Sequence, residues 1–380
     1  MDVDKIAANE WILELEDIEK DSGRIIQKLC KDDRKACGTR HKFYRNEILY
    51  SKLRTYLNKV LVAPASGFCT SEIIPIHCIE TNPWFICFVL RSNYFLDYTA
   101  SLGYGVKMPR LGTNDALISY IPLPPLSEQA RIVDEVAKWN IIIDEIENGK
   151  IELESHIKKT KSKILDLAIS GKLVPQDPND EPAIELLKRI NPGFKPCDNS
   201  HYENIEFDIP QNWVWATIGD IFEHNTGKAL NASNPNGTML DYITTSNLYW
   251  DRFELSIIKQ MPFTESEIER CIVRKGDLLI CEGGDVGRAA IWDYDYNIMI
   301  QNHIHRLRGK VDICTRYFFY LFMHYKLHNL IGGKGVAIQG LSSRDLHNLI
   351  IPVPSLKEQY DIASSIDLYF SKLDMITAEL

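Results

Sequence analysis

The sequence lacks the features that mark membrane, secreted and zinc-cluster proteins. No apolar run approaches the roughly 18 to 20 residues that cross a bilayer. The N-terminus, Met-Asp-Val-Asp-Lys, does not have the basic and then apolar profile of a signal peptide. The nine cysteines are odd in number and scattered, and no two form a Cys-x-x-Cys pair, so neither a zinc cluster nor a disulfide framework is indicated. We therefore expect a cytoplasmic protein with reduced thiols and no contact with a membrane.

Positive charge is also scarce. The chain has 43 Lys and Arg against 52 Asp and Glu, a formal net charge of −9. This balance argues against a surface that is basic throughout, although it does not exclude local basic faces. With 45% hydrophobic and 25% charged residues the composition is that of a globular protein, and 380 residues exceed one ordinary core. We expect two domains or an elongated chain.

Catalytic motifs are missing as well. Gly332–Gly335 is too short for a phosphate-binding P-loop, and no Ser-His-Asp or Cys-His constellation can be identified. Asn82–Phe85 (Asn-Pro-Trp-Phe) lacks the second proline of the loop with which amino-methyltransferases hold a flipped base. His303 and His305 could share one face of a strand, but no third metal ligand lies nearby. We therefore expect no catalytic residue, no metal and no cofactor.

What the sequence does contain is an internal duplication. Residues 121–129 read IPLPPLSEQ and residues 351–359 read IPVPSLKEQ, at an offset of 230. Flanking residues match at the same offset, so the chain is two copies of one unit. In each copy a short apolar strand (Leu117–Leu123 or Leu349–Val353) is expected to run into a Pro-rich turn, after which Glu-Gln lies in the first turn of a helix.

The helix after each Pro-rich turn has an apolar stripe. Helices are predicted over 128–170, ended by Gly171, and over 357–380. The first would be roughly 60 Å long at about 1.5 Å per residue. Its stripe follows a 3/4 spacing, and a helix of this length cannot bury such a stripe against one small domain, so we expect the two helices to pair as a coiled coil. The stripe positions are Ile132, Val136, Trp139, Ile143, Ile146, Lys150, Leu153, Ile157, Thr160, Ile164 and Leu167.

Short strands and turns dominate the rest of each copy, which indicates an α+β fold rich in β structure. A short helix is predicted at Ala183–Ile190 within the Pro-rich connector 172–211. An aromatic helix, Tyr317–Tyr325, is matched in the first copy by Phe85–Tyr94. The strands predicted in the second copy are Trp213–Ile218, Tyr242–Thr245, Asp277–Cys281, Ala289–Trp292 and Ile304–Leu307.

Basic residues concentrate in one part of the first copy. Residues 40–60 contain six Lys or Arg against the single acid Glu47, with tyrosines interleaved. Such a cluster is typical of a surface that faces a polyanion, although a solvated turn with ordinary lysines would look the same. The second copy instead has Gly-punctuated loops with Asn, Gln, His, Arg and Lys, the residue types that hold phosphates and read base edges.

The repeated signature resembles that of specificity subunits of type I restriction-modification enzymes. Residues 121–147 and 159–175 are similar to the central conserved region of that family, and residues 338–367 to the distal one. Trp213–Asp220 resembles the opening of a target-recognition domain. The resemblance implies two similar target-recognition domains with pseudo-twofold symmetry, each of which reads one half of a split site in double-stranded DNA. It also implies that the two helices pack as an antiparallel coiled coil and set the spacing between the halves.

The same resemblance implies a division of the chain and a set of partners. A non-catalytic subunit of this kind docks the methyltransferase (modification) subunits and the motor-nuclease (restriction) subunits of the complex. The expected parts are a first target-recognition domain (1–126), a central long helix (127–171), a linker (172–211), a second target-recognition domain (212–355) and a short distal helix (356–380). Residues 212–241 have no counterpart in the first copy, so that domain is expected to lack its opening segment.

Loop position and residue type select the candidate DNA contacts. In the first domain they are Lys52, Arg54, Tyr56, Lys59, Lys107 and Arg110. In the second domain they are Lys228, Asn247, Arg288, Gln301, Asn302, Lys334 and Gln339. Two alternatives stay open, namely a scaffold that binds proteins rather than DNA and an inactive, truncated specificity subunit.

Overall fold

A computed structural model describes residues 1–35, 38–102, 109–197, 208–230, 236–331 and 341–379 of the chain. The chain divides into two compact units, Met1–Asn148 and Gly149–Leu380, and the boundary lies inside a long helix. None of the helices in the described ranges combines the length and the apolar content that a bilayer crossing requires.

The first unit contains short strands followed by helices. Its strands are β1 (Trp11–Leu13), β2 (Leu29–Cys30), β3 (Arg40–Phe43), β4 (Ile48–Ser51), β5 (Val60–Val62), β6 (Gly67–Thr70) and β7 (Ile73–Ile76). Its helices are α1 (Pro83–Arg91), α2 (Asn93–Ser101), α3 (Thr113–Leu117) and the beginning of α4 (Leu126–Ile169). One sheet has the order β2-β1-β6-β3 and the other the order β5-β4-β7.

The second unit repeats this arrangement with more strands. Its helices are α5 (Ala183–Ile190), α6 (Ile218–Ile221), α7 (Glu265–Cys271), α8 (Thr315–Leu327), α9 (Ser343–His347) and α10 (Leu356–Ala378). Its first strands are β8 (Val214–Thr217), β9 (Phe222–Thr226), β10 (Thr238–Ile243), β11 (Leu248–Tyr249), β12 (Arg252–Phe253) and β13 (Lys259–Phe263). The remaining strands are β14 (Ile272–Val273), β15 (Leu278–Cys281), β16 (Ala289–Ile291), β17 (Ile298–Ile300), β18 (Ile304–Gly309) and β19 (Ile350–Val353).

Two four-stranded sheets enclose the cores of the second unit. Their orders are β13-β10-β17-β14 and β16-β15-β18-β9, while β11 pairs with β12 and β19 with β8. The larger core packs the aromatic helix α8 against α10, α5 and the end of α4. The α+β prediction is confirmed. Each of the five strands predicted for this copy overlaps an observed strand, and α5 has the predicted bounds.

A buried glutamine closes each unit in the same way. The Gln129 amide nitrogen donates to the Pro124 carbonyl oxygen at 2.9 Å, and its oxygen accepts from the backbone N–H of Asn82 at 2.9 Å. Gln359 repeats this pattern, with 3.1 Å to the Pro354 carbonyl oxygen and 3.1 Å to the Cys314 N–H. Asn82 and Cys314 are the N-cap residues of α1 and α8. The Glu-Gln of the repeated signature therefore joins the long helices to the aromatic helices, and the duplication extends to individual hydrogen bonds.

The Asn-Pro-Trp-Phe segment has a structural role. The Asn82 side chain accepts from the N–H groups of Trp84 and Phe85, at 2.9 and 3.4 Å, and Pro83 is the first residue of α1. An N-cap asparagine followed by proline is a favourable helix start. The single helix expected over Phe85–Tyr94 is two helices, α1 and α2, which meet at Ser92.

The strand expected at Leu117–Leu123 is absent, which corrects that prediction. In the second copy β19 forms because its residues pair with β8, for example Ile351 with Ala216. Among the described residues of the first unit no strand corresponds to β8, and an unpaired strand has no partner for its backbone groups. Residues 118–125, which follow α3, have no regular structure. Leu117, the last residue of α3, is 79% exposed, and Tyr120 is 85% exposed.

The apolar stripe of α4 is buried over part of its length only. Ile157 is buried, Leu165 belongs to the larger core of the second unit, and the Lys161 ammonium group forms an ion pair with Asp374 of α10. Lys161 also lies 5.0 Å from the centre of the Phe370 ring. Lys161 therefore joins α4 to α10 within the second unit. Other stripe positions are exposed, namely Trp139, Ile143, Ile146 and Leu153.

Candidate nucleic-acid interface

Three chain segments of the second unit meet where two parallel strands end. β10 and β17 run side by side, with Ile243 opposite Ile300, so their carboxyl ends lie at the same edge of the sheet. The Gln301 N–H donates to the Ile243 carbonyl at 3.1 Å, and the Lys228 N–H donates to the Ile300 carbonyl at 3.0 Å. The Asn302 N–H in turn donates to the Lys228 carbonyl at 3.0 Å. The sheet therefore places Gln301 and Asn302 next to the turn that follows β10.

Two arginines and a tyrosine extend this edge. Arg288 precedes β16, and its guanidinium donates to the Thr245 carbonyl at 2.7 Å. The same guanidinium lies 5.1 Å from the centre of the Tyr249 ring, while that of the exposed Arg252 lies 4.7 Å from it. Guanidinium groups beside an aromatic ring can hold a phosphate and stack on a base. We call this group the strand-end surface: Thr245, Tyr249, Arg252, Arg288, Gln301 and Asn302.

Lys228, a predicted contact, points into the domain rather than to its surface. Its side chain is 7% exposed, and its ammonium group donates to the Pro262 carbonyl at 2.6 Å and to the Glu267 carboxylate at 2.7 Å. The hydrogen bond from Lys228 lowers the pKa of Glu267. This placement corrects the expectation that Lys228 lies at the surface. A buried ammonium group needs hydrogen-bond partners, and Pro262 and Glu267 provide them.

Asn247, another predicted contact, also supports the surface from beneath. Its side-chain oxygen accepts from the Thr244 N–H at 2.9 Å, and its amide nitrogen donates to the carbonyls of Glu254 and Ile257, each at 2.9 Å. The residue is 7% exposed, so its amide is engaged in holding the turn after β10. Lys334 and Gln339 lie outside the described residues.

The candidates of the first unit are partly brought together by a short pairing of 52–54 with 109–111. The Arg54 N–H donates to the Pro109 carbonyl at 2.8 Å, and the Leu111 N–H donates to the Lys52 carbonyl at 2.8 Å. The Arg110 guanidinium is bound to Glu72, with 3.0 Å from its Nε. Lys52 is half-buried, whereas the Arg54 side chain is exposed.

Other basic residues of this unit serve its packing. Lys59 donates to the Leu15 carbonyl at 2.7 Å, and burial lowers its pKa. Arg40 is buried and donates to Glu14 at 2.6 Å. The basic cluster of 40–60 is therefore not a single exposed face. Tyr56 is 59% exposed, and Lys107 lies outside the described residues.

The two histidines near β18 do not share a face. The side chain of His303 is exposed and lies 3.6 Å from the Glu282 carboxylate. His305 is fully buried, and its ring contacts the Leu341 carbonyl at 2.8 Å and the His224 ring at 3.0 Å. The expected common face is wrong because His303 precedes the strand, in a turn, whereas His305 lies within it.

Sequence reasoning missed Tyr249 and Arg252. They pair with each other across the turn of the β11–β12 hairpin, and this turn contains no glycine. Asp251 takes the left-handed conformation there, with φ of 57°, which Asp tolerates better than most residues. Candidates in the second unit were predicted mainly in loops that contain glycine, and this turn has no such signal. An aromatic residue followed three positions later by arginine is the signal that could have found it.

Comparison with known proteins agrees with the resemblance seen in the sequence. Residues 210–380 match the family described as type I restriction modification DNA specificity domain. The EcoBI specificity subunit of a type I restriction enzyme from Escherichia coli is 22% identical over 285 residues, which cover 72% of this chain and 56% of that protein. The EcoDI specificity subunit, also from Escherichia coli, is 31% identical over 138 residues, 36% of this chain and 31% of that protein. The chain thus spans about half the length of the EcoBI subunit.

Solved structures support the fold. The HsdS subunit from Thermoanaerobacter tengcongensis aligns with a TM-score of 0.61 and 18% identity, over 99% of this chain and 86% of that one. A chain solved in work on complex assembly and conformational transition of the type I R-M system aligns with a TM-score of 0.70 and 18% identity. The alignment covers 97% of this chain and 86% of that one. Residues 210–380 therefore match a type I restriction modification DNA specificity domain, and the chain is similar in sequence to type I restriction enzyme specificity subunits.

Proposed function

We propose that the chain is the non-catalytic DNA-specificity subunit of a type I restriction-modification enzyme. Each unit reads one half of a bipartite DNA site, and α4 and α10 hold the spacing and dock the methyltransferase subunits. The motor-nuclease subunits join the same complex for cleavage. The observation that carries the proposal is the family match over residues 210–380.

The geometry of the second unit supports a location for half-site reading. The strand-end surface combines two guanidinium groups with the amides of Gln301 and Asn302 on one edge of a rigid sheet. Arginine and amide side chains read base edges and bind phosphates, and strands hold them more accurately than free loops would. Lys228 and Asn247 contribute by fixing the backbone beneath this surface.

The test is salt-dependent binding of duplex DNA by the chain in complex with its methyltransferase subunits. We expect a preference for the target over a scrambled duplex, and an affinity that falls as salt rises because counterions are released. Binding without sequence preference or salt dependence would support the protein scaffold instead. A folded complex that does not bind DNA would support the inactive relic.

A matched pair of variants locates the contact. Arg252→Ala should weaken target binding roughly 5- to 100-fold, the range for loss of one specific contact. Lys275→Ala is the control, because this exposed lysine precedes β15, at the end opposite Arg288, where it pairs with Asp293 and Asp295. Equal affinities of the two variants would remove the strand-end surface from the proposal.

A further inference from the structure

Three potential metal ligands, none of which belongs to the strand-end surface, converge in the second unit. Asp166 lies near the end of α4, His324 lies in the last turn of α8, and His328 is the C-cap residue of α8, four positions after His324. The Asp166 Oδ1 atom is 2.8 Å from His328 Nε2 and 3.3 Å from His324 Nε2. The three ligand atoms all lie within 4.8 Å of one another.

These separations approach those of a tetrahedral metal site. Zinc binds imidazole nitrogen and carboxylate oxygen at about 2.0–2.2 Å, which places neighbouring ligand atoms about 3.3 Å apart. We propose that Asp166, His324 and His328 bind a divalent transition-metal ion of the zinc class, with water in the fourth position. The site goes beyond DNA recognition and does not depend on it.

The deeper histidine presents one ring nitrogen to Asp166. The His324 side chain is 7% exposed, and its Nε2 atom lies 3.3 Å from the Asp166 carboxylate. Its Nδ1 atom has no hydrogen-bond partner among the described residues. The nitrogen that faces Asp166 is Nε2, which can bind an ion when the ring proton is on Nδ1.

The other two ligands leave the site accessible. His328 is 43% exposed and Asp166 is 33% exposed, so an ion can enter from solvent and a water molecule can complete its shell. A bound ion would join α4 to α8. Asp166 accepts hydrogen bonds from Ser170 through its backbone carbonyl, while its carboxylate contacts the two histidines.

Zinc titration of the whole, chelator-stripped chain tests the site, with the dissociation constant read by calorimetry. Cobalt in place of zinc gives a visible absorption band that reports nitrogen and oxygen ligands. His328→Ala and Asp166→Ala should each weaken zinc binding by at least roughly 10- to 100-fold, because the loss of a residue that only supports a metal ligand already has an effect of that size. The matched control is His156→Ala, because this exposed histidine of α4 contacts only its own helix, at the Glu152 carbonyl.

Two further measurements distinguish the loss of a metal ligand from the loss of the fold. Zinc at about a hundred times its dissociation constant should raise the unfolding temperature of the wild-type chain by roughly 5–10 °C, and a chelator should reverse the rise. Circular dichroism verifies that each variant is folded, and the cysteines, being the same in all variants, contribute a constant background. Wild-type zinc affinity in both folded ligand variants, or no zinc binding by the wild type, would overturn the proposal.

Discussion

Single side chains decide how each unit closes, and Gln129 and Gln359 show this most directly. Each is almost fully buried and has both ends of its amide occupied by the backbone of its own unit. The repeated Pro-x-Leu-x-Glu-Gln pattern predicts that a helix begins here. It does not predict that the glutamine caps a second helix, because Asn82 and Cys314 lie far away in sequence.

Removal of this amide should be costly. Gln359→Ala leaves the Cys314 N–H and the Pro354 carbonyl buried without partners, so we expect a loss of about 2–4 kcal/mol in the free energy of unfolding. Urea denaturation followed by tryptophan fluorescence measures it. Gln260→Ala is the control, since its amide binds Asp241 on an exposed strand and its loss should change stability by less than about 0.5 kcal/mol. Equal stabilities of the two variants would contradict the capping role.

The candidate site shows the limit of reasoning from residue type. Arg288, Gln301 and Asn302 lie on the strand-end surface, whereas Lys228 and Asn247, chosen by the same criteria, face inward. A polar side chain in a loop can bind a ligand or hold the loop, and the difference depends on which backbone groups lie within reach. Those groups come from strands distant in sequence, so the sequence alone cannot distinguish the two roles.

At the scale of elements, the helices with strong local signals are predicted best. α5 has its predicted bounds, and α4 differs from the prediction by two residues at its start and one at its end. The strand at Leu117–Leu123 fails for the opposite reason. Its apolar pattern is similar to that of β19, but a strand needs a partner. The partner of β19 is β8, and among the described residues the first unit has no counterpart of β8. A local pattern does not contain that information.

The long helix should respond unevenly to truncation of its apolar side chains. Leu165→Ala removes a side chain that is 1% exposed in the core, so we expect a loss of about 2–5 kcal/mol. Ile151→Ala, on the same helix at 65% exposure, should cost less than about 1 kcal/mol. Chemical denaturation of both variants compares them. A large loss at Ile151 would show that this side chain is covered in solution.

At the scale of the whole molecule, the chain contains two copies of one unit, and the proposed function gives each copy its own half-site. The net charge of −9 argues against a surface that is basic throughout, yet two arginines lie together on the strand-end surface while many acids lie on α4. The duplication and the family resemblance were both predictable from the repeated signature. The residues of the strand-end surface were predictable only in part.

Substitutions in the two units should therefore alter different halves of the target. Arg252→Ala should relax or abolish recognition of one half-site, and Arg54→Ala, in the first unit, should affect only the other. Methylome sequencing of a host that carries each variant reports both half-sites and their spacing. Loss of both halves with either folded variant would argue against separate readings.

The exposed segment that follows α3 has a consequence for handling the protein. Residues 118–125 carry no charge and retain strand-forming side chains, a composition that favours association between copies at high concentration. Pro122 counters this, because proline lacks the N–H that an intermolecular ladder would need. Its counterpart Pro352 lies within a paired strand, opposite Trp215. Equivalent prolines thus lie inside a sheet in one unit and in an exposed, unpaired segment in the other.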